Sequence, residues 1–242
     1  MLRFFGRGSA FCKDNNSAFF IQDGALILLD LPMSSFHRLI GIGIDKLAKE
    51  AGLDRFSAIQ VLVTHTHSDH IGGIPMLIHY AYYVLDKLPV TVIAPTREVA
   101  DDLRFLLQRL EGCEDTAYTV TCADALAEGS CSWLCDVIPT VHTPQLSGRC
   151  FGYRLLIGSR YVLYTGDTNT LSPFASFLTE GTILYTEISA IDTPVHLCLA
   201  KEMGNLESLL SRGISVYLMH LDNEEAVKEM IAGTGLQLAP LI

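Results

Sequence analysis

The stretch Thr64-His65-Thr66-His67-Ser68-Asp69-His70 sets three imidazoles and a carboxylate within six residues. Such a cluster is costly to bury in an apolar interior, because every polar group taken from water needs a partner. A bound cation supplies the compensation. Imidazole and carboxylate together suit zinc, iron or manganese, and the absence of an adjacent cysteine argues against a closed structural zinc site. A lone histidine would carry little weight, but this density points to metal. The cluster directly follows an apolar, β-branched run at residues 59–63 and precedes Gly72-Gly73, so it reads as a loop at a strand end.

Further donors recur in the same setting. His142 follows Val137-Ile138-Pro139-Thr140-Val141, Asp167 follows Tyr161-Val162-Leu163-Tyr164-Thr165-Gly166, and His220 follows Val216-Tyr217-Leu218-Met219. Strands ending at one edge would bring these groups together with the first cluster. With His65, His67, Asp69 and His70 they make seven donors, too many for one tetrahedral ion and suited to two ions sharing a bridging carboxylate. Glu187 ends another apolar run, at residues 182–186, and His196 lies nine residues later. A carboxylate bonded to an imidazole raises its basicity and fixes its tautomer, which suits a proton donor to an alkoxide leaving group.

Outward from these motifs, strands are expected at residues 2–5, 17–21, 25–29, 59–63, 90–94, 117–121, 132–140, 150–157, 161–164, 182–186 and 215–219. Helical spacing covers residues 41–51, 73–87, 97–110, 201–210 and 223–232, with Thr96 placed to cap the third of these. The two halves of the chain repeat one plan of strands with helices between. This order fits an α/β fold of two sheets packed face to face with helices outside, a four-layer αβ/βα sandwich. A doubly wound parallel sheet is the main rival, and hairpin-like strands near the start and the middle count against it. The length of 242 residues suits a single domain, 1–242, or two fused halves.

Net charge is −10, from 27 acidic and 17 basic residues, and no basic run exists to neutralise phosphates. Large nucleic acids are therefore disfavoured as partners, whereas a small anionic substrate held by metal is not. No apolar run approaches the roughly 20 residues that span a bilayer, and the N-terminus has no signal-length apolar stretch. The chain reads as cytoplasmic, with no membrane partner. Its seven cysteines are an odd, scattered set, typical of reduced thiols. Cys131 and Cys135 flank Trp133 in an expected strand and are read as core packing rather than a second zinc site. His37 and His79 are expected at the surface or in helix packing, and Tyr80, Tyr82 and Tyr83 are divided between core and substrate opening.

His-x-His-x-Asp-His, then a lone His, then Gly-Asp-Thr, then a His ending a late strand resembles the ordered motif set of the metallo-β-lactamase superfamily, over residues 17–222. The resemblance implies that His65, His67 and His142 hold one metal and Asp69, His70 and His220 a second, with Asp167 bridging. It also implies that Asp30 is the structural aspartate that steadies the metal loop. Glu187 and His196 resemble the pair of the phosphodiesterase, RNase Z-like branch, although that His is usually followed by Ser-Ser or Ser-Thr and here by Leu197-Cys198. Gly148, Gly152-Tyr153 and residues 164–168 also read like that branch. Only 25 positions separate His142 from Asp167, which leaves no room for the protruding arm of the tRNA 3′-processing enzyme.

The expected activity is that of a metal-dependent hydrolase with two divalent ions, zinc first and manganese or iron as alternatives. Two such ions make hydroxide available near neutral pH and neutralise developing charge. Asp69 would orient that nucleophile, and Glu187 and His196 would protonate the leaving group of a small phosphodiester or cyclic nucleotide. A carboxylic-ester, thioester or lactone hydrolase of the glyoxalase II or lactonase type is the alternative, and a sensor module using metal only for structure is the non-enzymatic one. A β-lactamase is disfavoured because the aspartate of Gly-Asp-Thr stands where the best-known di-zinc lactamases carry a cysteine. A homo-oligomer is compatible with the sequence.

Overall fold

The computed structural model of the protein describes residues 1–123 and 131–242. The chain divides into two compact units. The first contains Met1–Gly6, the segment from Lys13 through the sixth strand, and Leu241–Ile242; the second contains Arg7–Cys12 and the segment from the seventh strand to Pro240.

The first unit is one six-stranded mixed sheet in sequence order: β1 (Arg3–Gly6), β2 (Ser17–Gln22), β3 (Ala25–Leu29), β4 (Ala58–Leu62), β5 (Val90–Ala94) and β6 (Tyr118–Cys122). β1, β2 and β3 pair antiparallel, and β3 to β6 run parallel. The β2–β3 hairpin turns at Asp23-Gly24, where both residues have positive φ, 52° and 76°. This is the signature of a type I′ turn, which matches strand twist. Residues 25–29, ALILL, are buried without alternation, as in a central strand of the mixed sheet that is covered on both faces.

Helices α1 (Met33–Ile42), α2 (Ile44–Glu50), α3 (Ser68–Ile71), α4 (Ile74–Tyr83) and α5 (Arg97–Arg104) connect these strands. The single helix expected at residues 41–51 is instead two helices. Gly43, at φ 94°, breaks the run, and α1 begins ten residues before that point because Ser35, Phe36 and Leu39 give it a buried face. Thr96 caps α5, its hydroxyl accepting from Val99 N. The helix then continues as a π-helix, Phe105–Leu110, so the expected extent of residues 97–110 holds while the hydrogen-bond pattern changes within it.

The second unit is a six-stranded mixed sheet of β7 (Leu134–Pro139), β8 (Phe151–Ile157), β9 (Arg160–Tyr164), β10 (Ile183–Glu187), β11 (Ser215–Met219) and β12 (Gln237–Leu238), in sequence order. β7 to β9 pair antiparallel and β9 to β12 parallel, with α6 (Leu199–Ser211) and α7 (Glu224–Met230) as the later crossovers. Its core joins Leu163, Phe174, Leu184, Leu206, Val216 and Leu218. The core reading of Cys131 and Cys135 is corrected here. β7 begins at Leu134, so Cys131 lies in the turn before it, Cys135 is exposed, and the indole of Trp133 takes the buried place. Among the described residues, no helix is long and apolar enough to cross a membrane.

Candidate functional site

In the first unit the donors are organised by one carboxylate. Asp30 directly follows β3, is fully buried, and has positive φ, 57°. Its Oδ1 accepts from Thr64 N at 2.7 Å, and its Oδ2 accepts from Thr64 Oγ1 at 2.8 Å and from His70 Nδ1 at 2.8 Å. Asp30 N donates to Leu62 O, and its carbonyl accepts from Ser17 Oγ. A left-handed non-glycine residue costs about 1–2 kcal/mol, and this set of charge-assisted bonds holds it there.

The tautomers follow from these contacts. His70 must carry its proton on Nδ1 to face a carboxylate, which places the lone pair on Nε2, 3.4 Å from Asp69 Oδ2. The Thr64 hydroxyl gives its proton to Asp30 and stands 3.0 Å from His65 Nδ1, so it can accept from that ring. His65 Nε2 then faces His67 Nδ1 at 2.9 Å. Gly73 lets the histidine-rich segment close on the strand end. It donates to Leu31 O, and a Cβ there would stand 2.7 Å from Pro32 O and 2.9 Å from Leu31 O.

In the second unit the donors come from separate strand ends. β9, β10 and β11 run parallel in register, so the residues after them emerge at one edge. Gly166 (φ 58°) turns the chain after β9 to present Asp167. Asp167 Oδ2 lies 3.6 Å from His142 Nε2 and 3.5 Å from His220 Nε2. Glu187, the last residue of β10, is fully buried; its Oε2 is 2.6 Å from His196 Nδ1 and 3.8 Å from His220 Nδ1. Its Oε1 accepts from Thr168 N, so the Gly-Asp-Thr turn itself orients the carboxylate. His142 Nδ1 donates to Val195 O at 3.0 Å, leaving the lone pair on Nε2. Burial pushes the His142 imidazole below its usual pKa, against the opposing pull of Asp167. That favours the neutral ring a metal needs.

The donor set fits divalent cations. Separations of 3.4–3.6 Å are too long for good hydrogen bonds. They match neighbouring ligands of one ion, because bonds near 2.0–2.1 Å in a tetrahedron set ligand atoms about 3.3 Å apart. Within the second unit, His142, Asp167 and His196 offer ligand atoms within 4.8 Å of one another, as do Glu187, His196 and His220.

Each unit thus gathers its own sequence-predicted residues: His65, His67, Asp69 and His70 with Asp30 in the first, and His142, Asp167, Glu187, His196 and His220 in the second. Sequence reasoning missed the Thr64 hydroxyl, the Thr168 amide and the Val195 carbonyl as supports. Backbone groups leave no residue-type signal, and a threonine beside histidine is common. His37 is exposed and His79 is half-buried on α4, as expected; Tyr83 is exposed, and Tyr80 meets Phe36 edge-on.

Residues 1–236 match the family described as "Anti-Pycsar protein Apyc1". A protein of that description from Bacillus phage vB_BveM-Goe7 is 33% identical over 250 residues, covering 95% of this chain and 91% of its own length. One from Paenibacillus harenae is 35% identical over 97 residues, and that match spans only 36% of its length. The metallo-β-lactamase fold protein YhfI from Bacillus subtilis superposes with a TM-score of 0.68 at 18% identity, covering 99% of this chain and 95% of its own. The chain therefore has the metallo-β-lactamase fold and belongs to the Anti-Pycsar protein Apyc1 family.

Proposed function

We propose that residues 1–242 act as one catalytic domain, a metal-dependent phosphodiesterase for a small phosphodiester or cyclic nucleotide. The observation that carries this reading is His196. Its Nδ1 stands 2.6 Å from a buried carboxylate, Glu187 Oε2, and its ring lies 5.0 Å from that of His142 and 5.4 Å from that of His220. An imidazole so oriented beside metal ligands serves a reaction whose leaving oxygen needs a proton. Thioester hydrolysis at the same ligands, which expels a thiolate, has less need of it.

In this reading His65, His67 and His142 would hold one cation and Asp69, His70 and His220 the other, with Asp167 shared between them, in the order that the sequence motifs imply. Zinc is the first choice, with manganese or iron as alternatives. When bound, the cations supply a hydroxide nucleophile and offset the charge that builds on phosphate. The chain's residues do the rest. Asp69 accepts a hydrogen bond from the nucleophile and aims it. Glu187 holds His196 with its proton-bearing Nε2 toward the leaving oxygen, and His196 gives up that proton as the bond to phosphorus breaks. The acidic surface, net −10, fits a small substrate rather than a long polyanion.

The deciding assay is turnover of bis(p-nitrophenyl) phosphate with added zinc or manganese beside a chelated control. Turnover that disappears on chelation is expected. No turnover by protein shown to contain metal would overturn the reading and move the assignment to esters, thioesters and lactones.

A further inference from the structure

The segment 189–198, within the second unit, gives the site three contacts. Pro194 O accepts from Asn169 Nδ2 at 2.9 Å, Val195 O accepts from His142 Nδ1, and His196 reaches Glu187. A surface loop of this length is mobile unless its base is fastened. Ser189 and Cys198 form the base: Ser189 N donates to Leu197 O at 2.7 Å, and Leu199 N donates to Ser189 O at 2.9 Å.

The chain leaving that base is held by a carboxylate from another strand end. Asp222 Oδ1 accepts from Ala190 N and from Asn223 N, each at 2.8 Å, and Oδ2 lies 2.8 Å from Ser189 Oγ. The same hydroxyl is 2.7 Å from Ile191 O and 3.1 Å from Ile191 N. Asp222 lies two residues past His220, so its backbone moves with the end of β11. Its side chain therefore ties the His196 loop to the strand end that bears His220. Nearer the tip, Asn169 Nδ2 reaches Pro194 O and Thr193 Oγ1 accepts from His196 N at 3.1 Å, while the Lys201 Nζ to Asp192 pair is solvent-exposed and contributes little. Charge-assisted bonds on a half-buried carboxylate are the stronger restraint.

We propose that Asp222 is a positioning residue that fixes the 189–198 loop so that His196 can protonate the leaving oxygen. This rests on the phosphodiesterase reading. In the step concerned, hydroxide forms the new bond to phosphorus, the bond to the leaving oxygen breaks, and that oxygen keeps the electron pair and takes the proton of His196 Nε2. A p-nitrophenolate leaves without a proton, whereas an alkoxide does not.

The test compares full-length, zinc-loaded wild type, Asp222→Ala, Asp222→Asn and His196→Ala on two substrates. One is bis(p-nitrophenyl) phosphate, the other a nucleoside 3′,5′-cyclic monophosphate, whose leaving group is an alkoxide. Asp222→Ala is expected to lower kcat on the cyclic substrate about 10- to 100-fold and to change the p-nitrophenyl reaction less than about threefold. Asp222→Asn should rescue both, because its amide oxygen accepts from the two N–H groups and its NH2 donates to Ser189 Oγ. If His196→Ala is selective for the alkoxide but Asp222→Ala slows both substrates equally, or neither, the positioning role is overturned alone. If His196→Ala shows no selectivity, the proton-donor reading falls and this inference with it.

Discussion

The two units assemble their donors by opposite means. In the first, four donors sit within residues 65–70, the last two on the short helix α3, and a single buried carboxylate, Asp30, orients the segment through three hydrogen bonds. In the second, His142, Asp167, Glu187 and His220 end or follow different strands, and the parallel register of β9, β10 and β11 brings the last three together. The first arrangement is local and has one point of failure. The second is spread through a sheet, and its supports are a backbone amide, a backbone carbonyl and the strand ladder. Each unit also carries one non-glycine residue at positive φ among its site residues, Asp30 at 57° and His220 at 52°. Strain of this kind persists only where the surroundings over-determine it, and the bonds to Asp30 show how the first unit does so.

The comparison breaks first at the proposed ligands. Asp167→Ala removes the carboxylate that both His142 and His220 face, at 3.6 and 3.5 Å. On the proposed reading, turnover should fall by at least about 10³-fold, with loss of bound metal, since the nucleophile would depend on the cations. Elemental analysis beside the phosphodiester assay checks both. Near-normal rates would show that the second unit's donors are structural.

A smaller loss is expected at the hub. Asp30→Asn keeps the size of the side chain but cannot accept from Thr64 N, Thr64 Oγ1 and His70 Nδ1 together. Outer supports of this kind typically cost 10- to 100-fold, roughly, in metal affinity or activity, and an unsatisfied buried group costs about 1–3 kcal/mol of stability. Zinc titration and urea unfolding would measure the two effects. If Asp30→Asn binds zinc as wild type does, the first unit does not depend on a single hub.

How much of this could be read from the sequence follows the same division. The loop 64–70 declared itself because its donors are adjacent, and Asp30, which closes an apolar strand, could be named through the resemblance to the metallo-β-lactamase superfamily. His142, Asp167 and His220 were legible as polar residues past apolar runs, a pattern that survives without knowing the pairing. The grouping of Glu187 with His196 was legible as a spacing and through the resemblance to the phosphodiesterase branch, while the loop between them closes through Ser189 and Cys198 and owes nothing to periodicity. Asp222 gave no signal at all: an aspartate before Asn-Glu-Glu at the start of a helix reads as an ordinary first-turn acid. Helix α1 was missed because Met33–Ile42 begins after proline, with no side-chain cap to announce it. The break at Gly43 was hidden by apolar residues that keep their spacing across it.

The smallest effect concerns how the Arg7–Cys12 segment is held within the second unit. Arg7 forks onto Glu224 at 2.9 and 2.7 Å and donates to Ala239 O, while Leu221 N, next to His220, donates to Arg7 O. The Arg7 guanidinium, helped by Lys228, pulls the Glu224 carboxyl down to about 2 from 4.5. A depressed carboxyl stabilises the fold above its unfolded value, and that contribution is lost as pH falls from about 4.5 toward 2. Because the pair is partly exposed, the contribution should stay under about 1 kcal/mol. Urea midpoints of wild type and Glu224→Gln should therefore differ slightly and constantly above about pH 5, and converge on acidification through that window. A gap that does not close as the carboxylate is protonated would mean that Glu224 acts by packing. A gap several times larger would mean that the second unit, like the first, hangs on a single charged group.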